Sequence, residues 1–193
     1  KVETTNPEAY EFYLKAKHKY AKRENIEDIE IARSLLQKAI DLDSNLILAK
    51  ISLGDTYFSI GDNKKAMDIY TSALQQAEEL GDKRGIGDSL NNIGFVYYGT
   101  GDYEKALDYF EKAFAIMEEL GDKLGMGVSL ANIGMMHRSK GDLDTALDYF
   151  GKSLAIREEL GDKYGMGTSL HNIGLVYHNK GDLDTALDYY NRS

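Results

Sequence analysis

His171 and His178 are the two imidazoles whose spacing most resembles a metal or acid–base pair. They lie two helical turns apart, roughly 10 Å at a rise of 1.5 Å per residue, too far for one ion to hold both undistorted. Gly85-x-Gly87 and its copies suggest a phosphate loop. No strand precedes them and no Lys-Ser/Thr follows in register, and their recurrence marks them as turn or helix-start glycines. Asp142, Asp144 and Asp148 resemble a calcium run but lack its turn glycine and closing Glu. Asp142 reads as an N-cap and the other two as helix surface. His137 stands where Tyr97 and Tyr177 stand in neighbouring copies, so it reads as a packed ring. No nucleophile–base–acid set is present, and neither catalysis nor a cofactor is expected of the segment. What remains is a ladder of amides, Asn92, Asn132 and Asn172, each just before an Ile-Gly pair.

The ladder follows from a repeat. The stretch from Gly81 to Leu120 returns at Gly121 and again at Gly161, forty residues on each time, which is the signature of a stacked array. Within one copy, Leu90, Ile93, Gly94 and Tyr97 form one apolar helical stripe. Ala106, Phe110, Ala113 and Met117 form a second. Gly-Asp pairs separate them, at Gly61-Asp62, Gly101-Asp102, Gly141-Asp142 and Gly181-Asp182, and at Gly81-Asp82, Gly121-Asp122 and Gly161-Asp162. Gly suits the left-handed position after a helix and Asp the N-cap of the next. Gly54, Gly94, Gly134 and Gly174 sit inside first helices, where Gly costs about 1 kcal/mol against Ala. With Ala66, Ala106, Ala146 and Ala186 twelve residues on, they predict backbone-to-backbone contact between the helices of each hairpin.

Leu130, Ile133-Gly134, Gly141, Ala146 and Phe150 match the tetratricopeptide repeat signature, and the resemblance covers nearly the whole chain. His137 departs from it, and Ser153 replaces the small alanine seen at Ala113. The forty-residue spacing most resembles the long-helix subclass, with its Pins-type adaptors, kinesin light chains and bacterial Rap-type peptide receptors. That resemblance implies an all-α fold, a right-handed α-solenoid of about five antiparallel helix hairpins. The expected repeats are 7–42, 44–80, 81–120, 121–160 and 161–193, in one domain spanning 1–193.

The chain has 193 residues, no Cys, one Pro and a net charge of −9. No disulfide framework or thiolate metal site is available, which fits a reducing compartment and a cytoplasmic protein. Acidity argues against nonspecific nucleic-acid binding, and no apolar run is long enough to span a bilayer. Lys1 to Asn6 reads as a tail, and Pro7 begins a helix running to about Lys22. A second helix from Ile26 to about Asp41 completes a degenerate first repeat, with Ala16 in place of the later glycine. Asp43-Ser44-Asn45 reads as a turn and N-cap. The acidic ends of the second helices, among them Glu118, Glu119, Glu158 and Glu159, read as a solvated outer face. A chain that starts on Lys1 and stops inside a second helix reads as a fragment, with a sticky last flank that predicts end-to-end homo-oligomers. The stretch NPEAYEFYLKAKHKY is similar to repeat arrays attached to bacterial cyclases or regulators.

By the same resemblance, first helices line the concave face. Positions not used by the core stripe then face the groove: Asp88, Asn91, Asn92 and Phe95; Asn132, Met135 and Arg138; His171, Asn172, Leu175 and His178. In the second repeat the matching positions are Leu48, Ile51, Ser52, Asp55 and Phe58. An amide offers donor and acceptor together and can hold a peptide backbone without reading its sequence. In the families resembled, an Asn ladder at this position does so. The alternative is a hydrogen bond from each Asn to the next repeat. Phe95, Met135 and Leu175 form an apolar strip that either receives ligand side chains or packs between repeats. Asp55 and Asp88 make the early part acidic; Arg138, His171 and His178 make the late part neutral to basic. A protein or peptide segment is the expected partner. Two other roles stay open, self-association through the repeat edges and control of an attached cyclase, kinase or transcription regulator.

Overall fold

The computed structural model describes residues 6–193 and is all-α among them; the expected tail lies outside the described residues except for Asn6. Contacts divide the chain into two compact units, the first ending at Val96 and the second beginning at Tyr97. The first holds α1 (Pro7–Ala21), α2 (Ile26–Leu42), α3 (Ile47–Phe58), α4 (Asn63–Leu80) and most of α5 (Lys83–Gly99). The second holds α6 (Tyr103–Leu120), α7 (Lys123–Ser139), α8 (Leu143–Leu160), α9 (Lys163–Asn179) and α10 (Leu183–Arg192). Helix hairpins α1–α2 and α3–α4 pack side by side in the first unit. In the second, α7–α8 and α9–α10 do the same.

The connectors explain the boundaries. Gly81, Gly121 and Gly161 stand at φ of 66°, 65° and 65°, and Gly61, Gly101, Gly141 and Gly181 at 81° or 82°. A side chain is disfavoured at such angles, so Gly closes the connectors that follow α3 to α9. The Asp that follows turns back on the new helix: Asp162 Oδ1 accepts from Gly165 N at 3.0 Å, and Asp62 from Lys65 N at 3.1 Å. Asn6 is not tail. Its side chain caps α1 by accepting from the amides of Glu8 and Ala9, and its Nδ2 donates to Leu42 O at 3.1 Å. The start of α3 also differs from expectation. Asp43 spends its carboxylate on Asn45 N within the turn, and apolar Leu46 takes the N-cap without a side-chain bond.

Small residues bring the helices together, with a ring of the partner helix nearer than its backbone. A Cβ at Gly54 would sit 2.4 Å from the Tyr70 ring, and one at Gly134 would sit 3.0 Å from the Phe150 ring. A Cβ at Gly174 would meet the Tyr190 ring at 2.6 Å, with the Ala186 carbonyl oxygen farther off at 3.3 Å. The glycine therefore makes room for an aromatic ring of the partner helix, four residues beyond the alanine named from the sequence. The resulting cores are Ala9, Tyr13, Ala16, Leu36, Ala39, Leu46 and Ala49 in the first unit. Ala131, Ala146, Phe150, Ile173 and Val176 form one in the second.

Candidate functional site

In the first unit the first helices meet at Asp55 of α3. Tyr70 of α4 donates its hydroxyl to Asp55 Oδ1 at 2.7 Å, and Asn92 Nδ2 of α5 donates to the same oxygen at 3.2 Å. Tyr20 of α1 donates to the Asp55 carbonyl oxygen at 3.2 Å. Burial pushes the Asp55 carboxyl up to about 6; the Tyr70 hydrogen bond opposes this, the Asp88 charge adds to it and Lys17 subtracts. Burial and the facing carboxylate raise the Tyr70 phenol in turn. Asn92 thus ties its repeat to the one before, the alternative that its sequence position left open. Its amide group carries a second N–H and a carbonyl oxygen besides. Asp88, Asn91 and Phe95 are half-buried on the same helix, and Arg84 Nε lies 3.9 Å from Asp88.

In the second unit α7 and α9 touch directly. Asn132 on α7 is buried, at 8% exposure, and Asn172 on α9 is half-buried. Met135 is half-buried and packs on the core cluster, so at this position the strip is at least partly core. Leu175 and Arg138 are half-buried, and His178 is exposed. The His171 ring lies 5.3 Å from that of Tyr190 and borders an open recess of about 470 Å³ with Lys163, Tyr164, Gly167, Thr168 and Ser193. His137 stacks on Tyr149 at 5.4 Å, as Tyr97 does on Tyr109 and Tyr177 on Tyr189, and its Nδ1 lies 3.1 Å from Asp142 Oδ2.

Sequence reasoning missed a buried polar knot in the second unit. Arg157 of α8 is 7% exposed, and its Nη1 donates to Asp162 Oδ2 at 2.8 Å. Its Nε reaches Ser153 Oγ at 3.3 Å, and that hydroxyl donates to Gly127 O at 2.7 Å. Ser169 Oγ lies 3.2 Å from Ser153 Oγ. A Cβ at Gly165 would fall 1.6 Å from Arg157 Nη1, so that glycine is the floor of the ion pair. The available signal was two polar residues four apart, Ser153 and Arg157, in a stripe that reads Ala113 and Met117 one repeat earlier.

Among the described residues no group of three or more His, Cys, Asp and Glu is placed to hold a metal. No helix among the described residues is long and apolar enough to cross a membrane. Paired helices repeating at forty residues define a helical-repeat scaffold, a class of protein–protein interaction module. A tetratricopeptide repeat profile matches residues 45–119 and 125–193, and the chain belongs to that family. No curated protein matches it. Solved structures agree on the fold. BtubC from P. vanneervenii is 22% identical with a TM-score of 0.69, over 95% of this chain and 86% of that one. A Rap protein complexed with Competence and Sporulation Factor is 19% identical with a TM-score of 0.82, over 96% of this chain. This chain spans about half of it, 52%. A putative kinesin light chain from Podosopora anserina with nearly identical TPR-like repeats is 13% identical with a TM-score of 0.69, over 98% and 95%.

Proposed function

We propose that the first-helix faces of each unit bind an extended peptide or protein segment, as the docking arm of a larger signalling or scaffold protein. The observation that carries this reading is the band of side chains on α7 and α9 that remains outside the core. Asn172, Leu175 and Arg138 are half-buried there and His171 and His178 exposed, which sets an amide, an apolar side chain and basic groups side by side within reach of a ligand. The similarly folded Rap protein is complexed with Competence and Sporulation Factor, which supports a binding role for the fold. The first unit, with Asp55 and Asp88, favours basic side chains of the segment. The second, with Arg138, His171 and His178, favours acidic ones.

The test is enrichment of a random extended-peptide library on the wild-type chain and on the double variant Asn132→Ala/Asn172→Ala, with circular dichroism as control. Loss of two amide contacts is expected to weaken binding about tenfold or more with helicity unchanged. Loss of helicity or melting temperature instead would assign both amides to bonds between repeats. A second reading, self-association, is favoured by Leu183 and Leu187 of α10, which are 61% and 59% exposed. A mass that rises with concentration while the library enriches nothing would select it.

A further inference from the structure

Asp55 of α3 is the point to which α1, α4 and α5 of the first unit are tied by side chains. Donors arrive from α1 (Tyr20), α4 (Tyr70) and α5 (Asn92), and the last two share one carboxylate oxygen. The other charges that face it are Asp88 from α5 and Lys17 from α1. From α2, Arg33 is spent beside it, on Thr56 Oγ1 and O at 2.9 Å each and on the face of the Tyr57 ring. No cation is therefore bonded to the Asp55 carboxylate among the contacts described, and two neutral donors carry its charge. That combination of partial burial, a neighbouring Asp and no bonded cation favours the protonated form. Asn92 is also one of the groove residues of the proposed function, so one amide has two uses.

We propose that Asp55 is a proton-operated latch on Asn92. Ionised, it holds the amide against α3; protonated, it lets the amide turn to the backbone of a bound segment. This inference rests on the groove reading and adds its regulation. The sign follows from the bond. A hydrogen bond to an ionised carboxylate is roughly twice as strong as one to a neutral acceptor. Protonation weakens the Asn92–Asp55 bond and leaves the Tyr70 contact able to hold the carboxyl in place. A segment that captures Asn92 favours the protonated state, so its binding takes up a proton. Affinity is then expected to rise as pH falls through the range in which Asp55 titrates, centred at about 6.

Two readouts on the intact chain separate the latch from the groove. The first is the Asn92 side-chain amide followed by NMR from about pH 4.5 to about pH 8. Wild type is expected to show a titration centred near 6. Asp55→Asn is expected to abolish it, and Asp88→Asn to keep it with a lower midpoint, because the Asp88 charge raises that of Asp55. An Asn92 amide that does not titrate in wild type overturns the latch. The second readout is the affinity of the most enriched library peptide at the two ends of that range. It is expected to be on the order of fivefold tighter at the acid end for wild type, and level for Asp55→Asn. A titrating amide with a pH-independent peptide affinity overturns the coupling. A chain that enriches no peptide overturns the groove reading and the ligand half of this inference, while the amide titration still decides the latch itself.

Discussion

Asp162→Ala is expected to cost the second unit about 4–6 kcal/mol, and Arg157→Met almost nothing. The asymmetry comes from which partner is left behind. Arg157 has a side chain only 9% exposed, and its guanidinium depends on Asp162 and Ser153 for bonds. Removing the carboxylate leaves that cation uncompensated in a dry site, which costs about 3–5 kcal/mol. It also removes the N-cap of α9, for about 1 kcal/mol more. Arg157→Met instead removes the buried charge and installs the residue of the preceding repeat, Met117, which is itself buried at 3%. Asp162 then keeps its cap on Gly165 N and 24% of its surface in water. Replacing a buried ion pair by packed apolar groups is often neutral or stabilising. Ser153 keeps Gly127 O as acceptor. Asp162→Asn, which preserves a capping oxygen but not the charge, should fall near Asp162→Ala. Denaturant unfolding of the three variants decides it. Equal costs for Asp162→Ala and Arg157→Met would mean that the attraction within the pair, and not the stranded cation, dominates.

Features built from neighbours in the chain were legible in the sequence, and features built across it were not. Each Gly-Asp connector is local: the glycine needs its own φ and the aspartate caps an amide three residues on, so reading seven of them required only the motif. Asp55 reaches Tyr70 and Asn92 across 15 and 37 residues, and no spacing rule announces that two donors will share its oxygen. The in-helix glycines were legible as places of close approach, but the pattern pointed to alanines twelve positions on. The actual neighbours are Tyr70, Phe150 and Tyr190, sixteen on, because the ring leans back along its helix and covers the glycine. Copies also mislead where one partner changes. Ser169 shares a hydrogen-bond distance with Ser153, whereas Ser89 is fully buried, and its hydroxyl has no hydrogen-bond partner among the described residues. Ala73 stands in the first unit where Ser153 stands in the second. The forty-residue register put the three amides at one helical position but not at one depth, with Asn132 at 8% exposure and Asn172 half-buried.

The same substitution, Gly to Ala inside a helix, is expected to act with opposite signs at Gly54 and Gly151. Both glycines weaken their helices by about 1 kcal/mol relative to Ala. At Gly151 an added Cβ meets nothing within 4 Å, so Gly151→Ala should gain that amount. At Gly54 the Cβ would lie 2.4 Å from Tyr70 Cε1 and 2.7 Å from Cδ1. Tyr70 is 1% exposed, and its hydroxyl is anchored on Asp55 at 2.7 Å, so the ring is held at both ends. Overpacking of this kind costs about 1–3 kcal/mol and sometimes more. A rigid ring puts Gly54→Ala at the upper end, for a net loss of about 2 kcal/mol after the helix gain. Gly134→Ala falls between, since its Cβ meets Phe150 at 3.0 Å and that ring has no hydroxyl to tether it. For a chain of this length each kcal/mol moves the melting temperature by about 2–4 °C. Thermal unfolding should therefore rank Gly151→Ala above wild type, then Gly134→Ala, then Gly54→Ala. Were Gly54→Ala to melt at or above wild type, Tyr70 would be able to step aside, and the shared Asp55 anchor would not be holding the α3–α4 hairpin together.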